Sequence, residues 1–87
     1  MTAARDLEEE MIFDPHEGIA RLDDHLAHMR ALAEAQGVAF DRHEARNELQ
    51  AATFRAGPSR VRLLLSPSGA LAIELRPLAS EGSAGGG

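Results

Sequence analysis

The sequence contains no cysteine, lysine, tryptophan or tyrosine. Without cysteine there is no disulfide to staple a small fold and no thiolate to hold zinc. Without lysine there is no side-chain primary amine. Three phenylalanines are the only aromatic residues, which leaves little for base stacking. A net charge of -5 works against phosphate neutralisation, so nucleic acid is not an expected partner. No apolar run approaches the length of a membrane span, and T-A-A-R-D-L-E-E-E at the start lacks the basic-then-apolar order of a signal peptide. A cytoplasmic protein with no membrane partner is the expectation.

What is present fits one small domain. Of the 87 residues, 7–79 are expected to fold, 1–6 to form a flexible N-terminus, and the Gly/Ser-rich 80–87 to be a disordered tail. A domain of this size buries only about 60% of its unfolded surface. Such a core leans on a second chain, through self-association or a partner subunit.

The stretch from Leu22 to Gly37 organises the rest. Ile19, Leu22, Leu26, Met29 and Ala33 recur at helical spacing on one face. Asp23 is placed to cap the start and Gly37 to close the end. Before it, Leu7–Phe13 reads as a short strand, and Asp14–Gly18 as a loop around Pro15. After it, Asp41 with Glu44 forms a capping-box pattern, with Phe40 positioned to staple against Ala45. Ala45, Leu49, Ala52 and Ala56 share one face of that helix, and Gly57-Pro58 is its expected stop. Phe54 falls on the opposite side, so either the helix frays before it or it faces another chain. Val61, Leu63 and Leu65 alternate with polar partners, as do Leu71, Ile73 and Leu75, around S-P-S-G. The expected fold is therefore α+β: a small antiparallel sheet with two helices on one face, in the order β-α-α-β-β.

The run L-E-E-E-M-I-F-D-P-H-E-G-I-A-R-L-D-D-H-L-A-H-M-R, the following G-V-A-F-D and the strand R-V-R-L-L-L together resemble the N-terminal small domain of class IV aminotransferases. These are the fold-type IV pyridoxal-phosphate enzymes. The similarity is greatest to the aminodeoxychorismate lyase-like domain fused to para-aminobenzoate synthase. The resemblance covers Leu7 to Leu78 and implies the same α+β order. It places His28 where the family's H-L-x-R arginine reaches the cofactor phosphate. Arginine suits phosphate as a permanent, forked cation, whereas histidine titrates near neutrality. Arg30 lies about 200° further round the helix and is no simple replacement. The resemblance also marks Arg62 and Glu9 as substrate-binding candidates. Glu10 and Ile12 depart from the family's small residue and arginine. The Schiff-base lysine of the family lies in a larger C-terminal domain.

The remaining polar clusters have plainer readings. His25 and His28, with His16 and His43 on flanking segments, lack a spacing that fixes an ion, so no metal site is assigned. Glu8, Glu9 and Glu10 read as a solvated charge run rather than an acid–base pair. Arg60, Arg62 and Arg76 share a nominal sheet face, where cross-strand pairing competes with an anion pocket reached by Arg62. No catalytic residue is assigned. Pyridoxal phosphate is expected only if a large domain completes the site. Two functions follow as expectations. One is a small-domain fragment or split subunit of a class IV aminotransferase-like enzyme, inactive alone. The other is a degenerate, non-catalytic copy that serves as a protein-interaction module.

Overall fold

A computed structural model describes residues 5–78; residues 1–4 of the expected flexible N-terminus 1–6, and the whole expected tail 80–87, lie outside them. The elements are β1 (Leu7–Asp14), β2 (Gly18–Ile19), α1 (Leu22–Gln36), α2 (Arg42–Thr53), β3 (Ser59–Leu65) and β4 (Leu71–Pro77). They form an α+β fold with one antiparallel sheet, ordered β2-β1-β3-β4. This is the expected β-α-α-β-β order, with the two-residue β2 added.

β2 arises from a side chain. Asp14 accepts from the N–H groups of His16 (2.9 Å) and Glu17 (2.8 Å), which reverses the chain. Gly18, at φ 85°, then turns it back so that Ile19 pairs with Phe13. The expected loop is thus a turn closed into the sheet.

α1 begins differently from expectation. Arg21, left-handed at φ 56°, occupies the N-cap with no side-chain cap bond. Asp23 lies in the first turn and accepts from Arg46 of α2, with Arg42 3.9 Å away. Two guanidiniums from the second helix hold the carboxylate that the sequence suggests for a cap, and it ties the helices together instead. At the other end Gly37 takes the left-handed conformation (φ 71°), and its N–H reaches the Ala33 and Glu34 carbonyls.

α2 starts as expected, with the Asp41 carboxylate accepting from His43 (2.9 Å) and Glu44 (3.2 Å) N–H groups. It stops earlier than Gly57-Pro58. The Thr53 hydroxyl bonds back to the Leu49 carbonyl at 2.8 Å, and Arg55 at φ 69° turns the chain out of the helix. The buried face is therefore Ala45, Leu49 and Thr53. Phe54 is 73% exposed beyond the helix end, with the Arg55 guanidinium 5.5 Å from its ring centroid.

Strand alternation separates the two sheet faces. Leu7, Met11 and Phe13, then Val61, Leu63 and Leu65, then Leu71 and Ile73, meet the helices. Met11, Val61, Leu63 and Leu65 close with Leu26, Met29, Ala33, Ala45 and Leu49 into a core in which no member is more than 1% exposed. The other face, carrying Glu8, Glu10, Ile12, Arg60, Arg62, Glu74 and Arg76, has neither helix on it.

Candidate functional site

Glu9 is the exception in the glutamate run. It sits opposite Leu63 in the β1–β3 register, with the same parity as Met11, and so projects toward the helices rather than into water. Its side chain is 9% exposed. α1 supplies its partners, because His25 and His28 stand three residues apart on neighbouring turns. His25 Nδ1 lies 2.8 Å from Oε1 of Glu9, and His28 Nδ1 bonds Oε2. An ionised carboxylate only accepts, so each imidazole donates its Nδ1–H and keeps Nε2 for other partners. The result is a carboxylate bridged by two imidazoles between β1 and α1. His28, 61% exposed, can offer solvent or a ligand the Nε2 atom and no fixed positive charge.

The open face holds the second cluster. Glu10, Arg62 and Glu74 stand side by side across β1, β3 and β4. Arg62 donates from Nε to Glu8 at 2.9 Å and from Nη1 to Glu74 at 2.7 Å. Its hydrogen bond to Glu8 holds that carboxyl below the ordinary glutamate range. Glu8 and Glu74 in turn stabilise the Arg62 cation and raise its pKa. Arg60 lies 4.0 Å from Glu10 and directly opposite Arg76. These residues, with Leu78 and the β4 edge at Leu75, line a shallow groove of about 640 Å³. Its arginines and glutamates alternate, a pattern that satisfies its own charges before any ligand arrives.

The sequence candidates are thus divided. Glu9 and His28 meet on the helix side of β1, whereas Arg62 lies on the opposite face of the sheet. Arg30 pairs along its own helix with Glu34 at 3.4 Å and does not join the cluster. His16 belongs to the β1–β2 turn and His43 to the start of α2. Among the described residues no group of three or more His, Cys, Asp or Glu side chains could hold a metal ion. The Glu9 bridge escaped the composition-level reading, although strand parity carries its signal: Glu9 occupies an apolar-facing position between Leu7 and Met11. These residues also do not make a pyridoxal-phosphate site on this chain. There is no side-chain primary amine for the covalent link, and His28 brings no fixed positive charge to a phosphate.

No family model and no curated protein matches the chain. Among solved structures, the chain is similar to a crystal structure of a putative amino-acid aminotransferase from Mesorhizobium loti, with 29% sequence identity and a TM-score of 0.74. The match covers 83% of this chain and 35% of the other, so the chain spans about a third of that protein's length. The domain is aminotransferase-like in fold and resembles part of an aminotransferase in sequence. No helix among the described residues is long and apolar enough to cross a membrane.

Proposed function

We propose that this chain is the small-domain part of a class IV, pyridoxal-phosphate-dependent aminotransferase-like enzyme, related to the aminodeoxychorismate lyase-like domain fused to para-aminobenzoate synthase. One observation carries the reading: 29% identity at a TM-score of 0.74 over 83% of the chain, against only a third of an aminotransferase. The order of motifs around L-D-D-H-L and R-V-R-L-L-L supports the class IV assignment. The open sheet face, with Arg62 at its centre, is the wall this domain would turn toward a completing large domain. The Glu9–His25–His28 bridge would fix the relation of α1 to that wall. The coenzyme, when bound, supplies the electron sink for amino-group chemistry; its lysine would have to come from the completing part. A cytoplasmic setting follows from that role.

The degenerate-copy alternative draws on two particular residues. His28 stands where the resemblance calls for a phosphate-binding arginine, and Ile12 stands in place of the strand arginine, while the core remains apolar. Reconstitution separates the two readings. The 87-residue chain is mixed with pyridoxal phosphate and the remainder of the Mesorhizobium loti protein, supplied as a separate chain. The enzyme reading expects a complex on size-exclusion chromatography and amino transfer to a 2-oxo acid. A complex without turnover supports the interaction module, and no complex at all overturns the small-domain reading.

A further inference from the structure

The outer edge of β4 pairs with no strand among the described residues. Its backbone polarity follows from the β3–β4 ladder. Leu78 N–H reaches the Pro58 carbonyl and Ser66 N–H reaches the Ala70 carbonyl, both at 2.9 Å. The even-numbered residues of β4 therefore bond inward, and Leu71, Ile73 and Leu75 turn their N–H and C=O groups outward. The same three residues carry their side chains on the helix side. Leu71 and Ile73 are half-buried, and Leu75 is 38% exposed. Beside them, Glu48, Ala51 and Ala52 of α2 complete a groove of about 360 Å³ along Leu71 and Ile73.

We propose that this edge seats a second copy of the chain, β4 against β4 antiparallel, with Ile73 opposite the partner's Ile73, doubling the sheet. The sequence of β4 selects this register. Centring on Glu74 would oppose two like carboxylates. Centring on Leu75 would set Ile73 against Pro77, which has no N–H to give. Centring on Ile73 pairs Leu71 with Leu75 on either side and leaves Pro77 beyond the paired stretch. All three outward residues then exchange both backbone bonds, and the helix-side row across the junction is Leu, Ile and Leu throughout. The incoming Ile73 and Leu75 enter the groove where Ala51 and Ala52 present only methyl groups. On the open face Glu74 meets Ala72, and its charge is already held by Arg62 at 2.7 Å. Among the described residues no inward-pointing charge or bulge lies on this edge; its charges, Glu74 and Arg76, stand on the open face, and Pro77 closes the strand beyond the paired stretch. The inference stands apart from the aminotransferase reading, because it uses only β4 and the adjoining face of α2.

The absence of cysteine makes the test clean. Ile73→Cys places two thiols on directly facing residues with Cα atoms about 5.5 Å apart, within disulfide range. Arg76→Cys places them six residues out of register, about 20 Å apart. Under mild oxidation Ile73→Cys is expected to form covalent dimer at least roughly tenfold faster than Arg76→Cys. The unaltered 87-residue chain is expected to sediment as a dimer at high micromolar concentration. Leu75→Lys is expected to shift it to monomer with an unchanged circular dichroism spectrum. An unaltered chain that stays monomeric up to millimolar concentration overturns the proposal. Equal cross-linking by the two cysteine variants overturns the register.

Discussion

A carboxylate placed beside Leu63 and Met11 is costly to bury unless hydrogen bonds replace the water it has lost. Glu9 meets that requirement with two imidazoles of unequal exposure: His25 at 27% and His28 at 61%. Screening weakens the more exposed contact, and the partly buried one retains more of its strength. A double-mutant cycle in urea unfolding should therefore give a Glu9–His25 coupling of about 1.5–3 kcal/mol, the range for hydrogen bonds to charged groups. The Glu9–His28 coupling should fall below about 1 kcal/mol. The reverse order would mean that the bridge hangs on His28. His28→Arg provides a second reading of the site, because a permanent cation with a forked head would meet Glu9 where an imidazole now donates one bond. The charge-run reading of Glu8–Glu10 fails at the middle residue for a reason of period: three adjacent residues on a strand cannot all face water when one sheet face is buried.

At the scale of elements, the open face is held by Arg62, which joins β1 to β4 through Glu8 and Glu74. The Glu8 carboxyl is held below its ordinary value of 4.5 by the Arg62 hydrogen bond. A carboxyl depressed in the folded state contributes stability above its unfolded value, and that contribution is lost as pH falls through the folded value. Carboxyl carbon shifts in an acid titration should accordingly place the Glu8 midpoint below 4.5. Arg62→Gln should return it to the ordinary range and remove the Glu8 contribution to stability above that range. A Glu8 midpoint unmoved by Arg62→Gln would sink the ion-pair assignment. Much of this level was legible beforehand, because alternation and helical spacing are local: β3, β4, α2's cap at Asp41 and the Gly37 stop lie where the residues put them. What escaped depended on contacts distant in sequence. Asp23 has the chemistry of a cap, but Arg42 and Arg46 reach it from another helix. The end of α2 is set by the Thr53 back-bond and the positive φ of Arg55, and neither leaves a composition signal as strong as Gly57-Pro58. Arg62 shares its face with Arg60 and Arg76, as alternation alone requires, yet only the β1 register brings Glu8 within its reach.

At the scale of the whole molecule, nine of the described residues carry the core, from Met11 to Leu65, and their failure is collective. Globular domains are stable by roughly 0.05–0.15 kcal/mol per residue, which gives a chain of this size only about 4–13 kcal/mol in all. Truncating one fully buried leucine costs about 2–5 kcal/mol, through lost transfer energy plus the cavity left behind. Leu26 joins α1 to the sheet and has no exposed surface, so Leu26→Ala removes a large share of the total. Ile12 is of similar size but 44% exposed on the open face, where Ala leaves no cavity. In urea unfolding of the two variants, Leu26→Ala should move the midpoint far below that of the parent with an unchanged slope, and some chains should already be unfolded in buffer. Ile12→Ala should stay within about 0.5 kcal/mol of the parent, as surface substitutions do. A large loss at Ile12 would mean that the open face is covered in solution, which would point to a partner there rather than along β4. Equal, small losses at both sites would mean that the helices do not pack on the sheet through Leu26, and the architecture itself would have to be redrawn.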